Sequence, residues 1–72
     1  METILFKVEK VLRNIRARRC EMNLTQYDMA DKLSMSQHGY GKIENGFSQL
    51  SIERFMAIAE ALDTPFTHFI DV

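Results

Sequence analysis

The chain has 72 residues, which is enough for one domain. Hydrophobic residues make up 46% of it and charged residues 26%, with three glycines and one proline. This composition excludes disordered, collagen-like and low-complexity chains and indicates a globular domain. The formal net charge is −1, so the charge of the whole chain does not favour a polyanionic partner.

The small net charge hides two segments of opposite sign. Residues 1–20 hold six Lys or Arg against two Glu, whereas residues 21–72 hold three Lys or Arg against eight Asp or Glu. A polyanion could therefore meet a basic stripe on the first segment although the chain as a whole is slightly acidic.

Several classes of protein are excluded by missing features. Cys20 is the single cysteine, so neither an internal disulfide nor a zinc site made of cysteines alone can form. No apolar run approaches the roughly 18 residues that a membrane span needs. The first residues also lack the apolar core of a secretion signal. We therefore expect a cytoplasmic protein without a membrane partner.

A long first helix is predicted by helical spacing. Apolar residues recur at three- and four-residue steps at Ile4, Val8, Val11, Leu12 and Ile15. This stripe predicts a helix from near Ile4 to near Met22, and Asn23 is the expected left-handed residue after it.

Four shorter helices are predicted from capping residues. Thr25, Ser36 and Ser51 are expected N-caps, with Asp28 completing a capping box at Thr25. Gly46 and Asp63 are expected to end the third and fourth helices in left-handed turns. The second predicted helix ends at Leu33, and the third runs from Gln37 to about Asn45. The fifth runs from Phe66 to Ile70. The fourth has an apolar face made of Ile52, Phe55, Ile58, Ala59 and Leu62. The fold class is therefore all-α, with five helices and one core.

The segment from Gln26 to Asn45 is the most informative part of the chain. Its spacing predicts a helix, a three-residue turn and a second helix that crosses the first closely. Ala30 supplies the small residue at the crossing, and the apolar positions that attach the pair to the core are Met29, Leu33, Met35, Tyr40 and Ile43. A helical hairpin without any ligand has the same spacing, so the spacing alone leaves both interpretations open.

Wider sequence motifs favour a DNA-binding domain. The segments Leu24–Gln26, Met29–Leu33, Met35–Gln37, Lys42–Gly46 and Ile58–Leu62 resemble the lambda-repressor-like, or Cro/XRE, family of helix-turn-helix regulators. The resemblance covers roughly residues 11–70 of a single domain at 1–72, and residues 1–10 extend the first helix. It implies a five-helix domain that binds double-stranded DNA, usually as a dimer, with the third helix in the major groove.

The resemblance also implies roles for individual residues. The outward face of the third helix would contact base edges through Gln37, His38, Gly41 and Lys42. The DNA backbone would be contacted by Gln26, Asn45, Phe47 and Ser48. Arg19 and Glu44 match a structural salt bridge between the first and third helices. For the outward face, the alternative is a solvated helix surface with no DNA contact.

Three positions depart from the pattern of the family. Gly39 and Gly41 lie inside the predicted third helix, where each costs about 0.8–1 kcal/mol relative to alanine. Ser34 stands in place of the usual turn glycine, so we expect some backbone strain if this residue is left-handed.

The two ends of the chain are candidates for a pairing surface. Three adjacent apolar residues at the N-terminus cannot all face one core, and a five-residue helix cannot bury all of its apolar residues. The predicted interface of a two-fold homodimer therefore includes Ile4, Phe6, Phe66, Phe69 and Ile70. Alternatively, the two ends cover each other and close the core of a monomer.

A sequence-specific DNA-binding regulator, a repressor without a cofactor, is the function that these features predict. Cys20, His38 and His68 lack the spacing of a zinc site, and no catalytic grouping or phosphate loop is present, so an enzyme is not expected. The alternative is a protein-binding module of the same fold, such as an antitoxin or anti-repressor. Its support is the low charge of the third-helix region, where Lys42 and Glu44 are the only formal charges between Ser34 and Leu50.

Overall fold

Residues 3–70 are described by the structure, a computed structural model, and over these residues it contains five α-helices and no strand. The helices are α1 (Ile4–Glu21), α2 (Gln26–Lys32), α3 (Gln37–Glu44), α4 (Ile52–Ala61) and α5 (Thr67–Ile70). The predicted all-α class with five helices is confirmed. Residues 1, 2, 71 and 72, which belong to the predicted domain, lie outside the described residues.

Side-chain hydroxyls cap the first four helices. The oxygens of Thr3, Thr25, Ser36 and Ser51 each accept a hydrogen bond from the backbone N–H three residues later, at 2.9–3.1 Å. At Thr25 the capping box is complete, because Asp28 Oδ2 accepts the Thr25 N–H at 2.8 Å. The three N-caps predicted from the sequence are therefore confirmed.

Left-handed residues end four elements where the sequence predicts them. Asn23, Ser34 and Asp63 have φ values of 58°, 55° and 49°, and Gly46 has a φ of 84°. Asn and Asp tolerate this region better than most residues. Ser34 has neither that tolerance nor the freedom of glycine, so the turn between α2 and α3 carries some backbone strain.

One apolar core holds the helices together. α2 packs against α3 and α4, and α1 packs against α3 and α5. The buried apolar residues come from all five helices or their caps and are Leu12, Ile15, Met29, Ala30, Tyr40, Ile43, Ile58, Ala59, Leu62 and Phe69. The core therefore fixes α3 against both α1 and α2. The side of α3 that faces away from the core is exposed to solvent.

The core is shorter than the apolar stripe of two helices, α1 and α4. Ile4 and Val8 are exposed, with Ile4 at 74%, because the first two turns of α1 extend past the packed helices. Ile52 is 77% exposed although it points in nearly the same direction as the buried Ala59 two turns later. The apolar stripes of α1 and α4 therefore extend beyond the core, since periodicity gives the direction of a side chain but not where packing stops.

Phe69 belongs to the core and not to a pairing surface. Its side chain is fully buried, and its ring meets that of Phe55 edge-on at 6.2 Å. The Asn14 side chain donates a 2.9 Å hydrogen bond to the Phe69 carbonyl, which ties α5 to α1. The prediction of Phe69 as an interface residue was therefore wrong, whereas Phe66 and Ile70 remain exposed.

None of the five helices between residues 3 and 70 combines the length and the apolar character required to cross a bilayer.

Candidate nucleic-acid interface

The crossing of α2 and α3 forms a helix, a tight turn and a second helix. Leu33 caps the end of α2, and the Met35 N–H donates to the Ala30 carbonyl at 2.9 Å, which folds the chain back. Ala30 is buried at this point. Its small side chain allows the two helices to approach closely, as the sequence predicts.

A shallow groove runs along the exposed side of α3 and has a volume of about 620 Å³. The residues that line it are Gln26, Gln37, His38, Gly41, Lys42, Asn45 and Phe47. All of them were predicted from the sequence as DNA-facing residues. Ser48, the remaining predicted residue, lies instead beside a neighbouring apolar groove.

Most side chains of this groove are free to meet a ligand. Gln37, His38, Lys42 and Asn45 are exposed, and Phe47 is 81% exposed. A largely exposed phenyl ring at the edge of a polar groove leaves apolar area in water. The groove therefore combines amide and cationic groups with one apolar contact.

Gly41 differs from its predicted role because it is buried. The Gln26 side chain lies on it, with Oε1 3.1 Å and Cδ 3.8 Å from the position that a Cβ at residue 41 would occupy. The prediction that Gly41 presents its own surface to a base was wrong. Its lack of a side chain instead gives Gln26 room.

The Glu44 carboxylate, which is buried, holds α1 against α3. Arg19 Nε donates to its two oxygens at 3.2 and 3.0 Å, and Arg19 Nη2 donates to Oε1 at 2.8 Å. Arg19 Nη1 also donates to the Leu24 carbonyl at 2.8 Å. This is the ion pair that the family resemblance implies, and it anchors the end of the third helix.

Two further side chains complete the surroundings of this carboxylate. Tyr40 Oη donates to Glu44 Oε2 at 2.6 Å, and Gln26 Nε2 donates to Oε1 at 3.3 Å. Burial raises the pKa of Glu44, but the hydrogen bonds from Arg19, Tyr40 and Gln26 outweigh it, and the net pKa is lowered. The hydrogen bond from Arg19 to Glu44 raises the pKa of Arg19. The pKa of Tyr40 is also raised, mainly by burial and to a smaller extent by its own hydrogen bond to Glu44. The cluster is therefore a charged pair with a neutral phenol at neutral pH.

Arg16 is a residue that the sequence analysis did not assign. Its Nε lies 3.5 Å from Glu44 Oε1, and its Nη2 donates to Asn45 Oδ1 at 3.4 Å. About half of the Arg16 side chain is exposed, so a cation lies beside Asn45 at the rim of the groove. The spacing of Arg16 and Arg19, one turn apart on α1, is the signal that could have placed both near Glu44.

The groove has a weakly positive character. Lys42 is the only formally charged residue among those described that line it, with Arg16 beside it at the rim. Glu44 lies beneath this surface with its charge neutralised by Arg19. The groove can therefore accept an anionic ligand without the strong attraction of a basic patch.

Other polar residues have structural partners. Arg18 donates through Nε to Thr64 Oγ1 at 2.9 Å. Over residues 3–70, no group of three His, Cys, Asp or Glu side chains is placed to hold a metal ion.

Comparison with known proteins supplies a family. Residues 15–69 match the sequence model of a helix-turn-helix family, a range that contains the end of α1 and almost all of the other four helices. Neither the curated proteins nor the solved structures gave a match. The matched range includes every residue that lines the groove and both partners of the buried ion pair. The chain therefore belongs to the Cro/C1-type helix-turn-helix family, the XRE family, whose members are DNA-binding regulators.

Proposed function

We propose that this protein is a sequence-specific transcriptional repressor that places α3 in the major groove of an operator. The observation that carries the proposal is the groove on α3, where amides, a cation and an apolar ring converge on one free surface. A major groove about 12 Å wide admits one α-helix. α3 is fixed from behind by the core and by the Glu44 ion pair, so its exposed side enters as a rigid unit.

The exposed polar side chains of α3 make the base contacts in this proposal. Gln37 lies at the first position of the helix, where its amide can pair with adenine through one donor and one acceptor. Lys42 lies five residues later and can donate to guanine. His38 is exposed beside Gln37 and extends the same surface.

Residues near the end of α3 and the start of α2 contact the DNA backbone in this proposal. Asn45 and Ser48 follow α3, and Phe47 between them offers apolar contact to a sugar or a thymine methyl group. Gln26 lies at the start of α2. Arg16 adds a cation next to Asn45, and phosphate contacts of this kind fix register without carrying sequence information.

Pairing of two copies would supply the second half-site. One helix reads only a few base pairs, and a two-fold dimer places two such helices about one turn of DNA apart. The surface that supports pairing is an apolar groove of about 610 Å³ whose walls include Leu5, Val8, Leu50, Phe55 and Ile70. Ile4, Phe6 and Phe66 are also exposed, so water-exposed apolar area is concentrated near both ends of the chain.

Selection from random duplexes tests the proposal directly. The purified protein is incubated with a duplex pool at low salt, and bound DNA is amplified over several rounds. We expect enrichment of one motif, and retention of weak binding to unrelated duplex. A triple variant, Gln37→Ala, His38→Ala and Lys42→Ala, should enrich nothing, because its substitutions are confined to the exposed side of α3.

A protein-binding module is the second candidate. The exposed Phe47 and the single formal charge in the described groove favour it, since interfaces between proteins are enriched in aromatic residues and depleted of charge. Failure of the wild-type protein to retard any duplex at low salt would support this candidate and overturn the repressor.

A further inference from the structure

The central position of the α3 reading face has no side chain of its own. Residues four apart on a helix lie above one another, so Gln37, Gly41 and Asn45 form one row along the groove. Gly41 is the middle member of this row. α3 alone therefore presents polar groups at the two ends of the row and nothing between them.

The Gln26 amide from α2 occupies this gap. Its oxygen lies 3.1 Å and its carbonyl carbon 3.8 Å from the position of a Cβ at residue 41. These distances place the amide group in direct contact with the space that the Cβ of a residue at position 41 would fill. Gln26 also lines the same groove as the exposed residues of α3. The polar group at the centre of the reading face thus comes from another helix.

Glu44 fixes which end of the Gln26 amide faces the groove. An ionised carboxylate only accepts hydrogen bonds, and the lowered pKa of Glu44 keeps it ionised at neutral pH. The amide atom 3.3 Å from Glu44 Oε1 must therefore be the nitrogen, Nε2. The oxygen is left over Gly41, where it can accept a hydrogen bond from a ligand.

We propose that Gln26 is a specificity-determining residue whose side-chain oxygen accepts a hydrogen bond from the exocyclic amino group of an adenine or a cytosine. This inference rests on the proposed function, since it needs α3 in the major groove. A phosphate oxygen cannot be the partner of this atom, because both only accept. In the major groove, the amino groups of adenine and cytosine are the donors that bases present.

This role differs from the contact with the DNA backbone that the family resemblance implies for Gln26. A glutamine that contacts only the DNA backbone would strengthen binding to all sequences alike. A glutamine whose oxygen meets an amino group would strengthen binding to one base pair over the others. These two roles predict different responses to the same substitution.

The experiment measures binding to the selected motif and to every single-base-pair variant of it. In Gln26→Ala, the ratio of affinities for the preferred and the substituted base pair should fall about tenfold at one position, which is the effect of one good base contact. The preferences at the other positions should remain. Gly41→Ala should weaken the same preference, because the added methyl group would displace the Gln26 amide from its position over residue 41. Met56→Ala is the control and should change nothing, since Met56 is an uncharged, half-exposed residue of α4 that lines neither this groove nor the apolar groove of the proposed pairing surface.

A second arm uses the unaltered protein and so does not depend on how the variants fold. The amino group is removed from the identified base, with purine in place of adenine or 2-pyrimidinone in place of cytosine. We expect the wild-type protein to lose about tenfold in affinity and Gln26→Ala to be indifferent to the change.

Three results would overturn the inference. Equal losses on all duplexes would make Gln26 a backbone contact, and an unchanged affinity of the wild-type protein after removal of the amino group from the affected base pair would exclude an acceptor role. Both leave sequence-specific binding by the wild-type protein intact. If the wild-type protein selects no motif at all, the proposed function fails first and this inference fails with it.

Discussion

Tyr40 donates a 2.6 Å hydrogen bond to Glu44 one turn later on α3, so the core and the buried ion pair share a residue. The Tyr40 ring is fully buried among apolar side chains while its hydroxyl reaches the carboxylate. Arg19 from α1 and Gln26 from α2 donate to the same carboxylate. The groove of α3 is therefore positioned by one carboxylate, that of Glu44, which accepts hydrogen bonds from residues of three helices.

Removing the Glu44 carboxylate should destabilise the fold strongly. Glu44→Ala leaves the guanidinium of Arg19 and the hydroxyl of Tyr40 without their partner, and breaking a buried pair in this way costs about 3–5 kcal/mol. A chain of this length has roughly 4–11 kcal/mol of stability in total. Urea denaturation followed by circular dichroism measures the loss. Glu60→Ala, an exposed carboxylate on α4, is the control, and equal losses from both variants would contradict the assignment.

Stability should fall as the pH is lowered below about 4.5. The pKa of Glu44 lies below its ordinary value of 4.5 because the hydrogen bonds from its partners outweigh the effect of burial. A carboxylate with a depressed folded pKa contributes stability above the unfolded pKa, and this contribution is lost as the pH falls through the folded pKa. The carboxylate of Asp28, whose pKa is lowered by the hydrogen bonds at Thr25, adds to the same trend.

Melting temperatures between pH 7 and pH 3 test this dependence. Wild-type protein should melt at a constant temperature down to about pH 5 and at lower temperatures below it. Glu44→Gln should be less stable at pH 7 but show a shallower decline with acid, because it has no carboxylate at this position. Parallel curves for the two proteins would mean that other groups account for the acid sensitivity.

Local sequence rules predict well the helices and the turn that form the groove of α3. The caps at Thr25 and Ser36, the left-handed Ser34 and the crossing at Ala30 depend on residues within a few positions of each other. The helical period then fixes which residues of α3 face outwards. The groove follows from these local features, so its lining residues could be named before the structure.

Properties that depend on packing between distant segments could not be predicted in the same way. The burial of Gly41 follows from the path of the Gln26 side chain across α3, and no spacing encodes that path. The burial of Phe69 depends on how α5 meets α1. Likewise, the exposure of Ile52 is decided by where the core ends.

Phe69 and Phe66 should differ in their contribution to stability. Phe69→Ala opens a cavity in the core and should cost about 3–5 kcal/mol, because this side chain is fully buried. Phe66→Ala removes a ring that is partly in water and touches Phe55 edge-on at 6.2 Å, so its cost should be clearly smaller. Urea denaturation of both variants makes the comparison, and an equal loss would place the two rings in equivalent surroundings.

DNA binding should depend only moderately on salt. Lys42 and Arg16 are the cations beside the described groove, which suggests about two to four neutralised phosphates per monomer and a log–log slope of roughly −2 to −4. Arg16→Gln should make the slope shallower by about one. Lys32→Gln, an exposed cation outside the groove, is the control. If Lys32→Gln changes the slope as Arg16→Gln does, the DNA lies elsewhere on the surface.

Pairing should depend on the apolar groove that contains Ile70. Ile70 is 48% exposed, so Ile70→Glu should leave the fold intact while placing a charge at the proposed interface. Met56, on α4, is also 48% exposed but does not line this groove, and Met56→Glu is therefore the matched control. Sedimentation equilibrium should give a dimer for the wild type and for Met56→Glu, and a monomer for Ile70→Glu. The Ile70→Glu monomer should bind a single half-site and lose cooperative binding to a palindrome. A wild-type chain that stays monomeric at high micromolar concentration and binds a palindrome without cooperativity would exclude this interface.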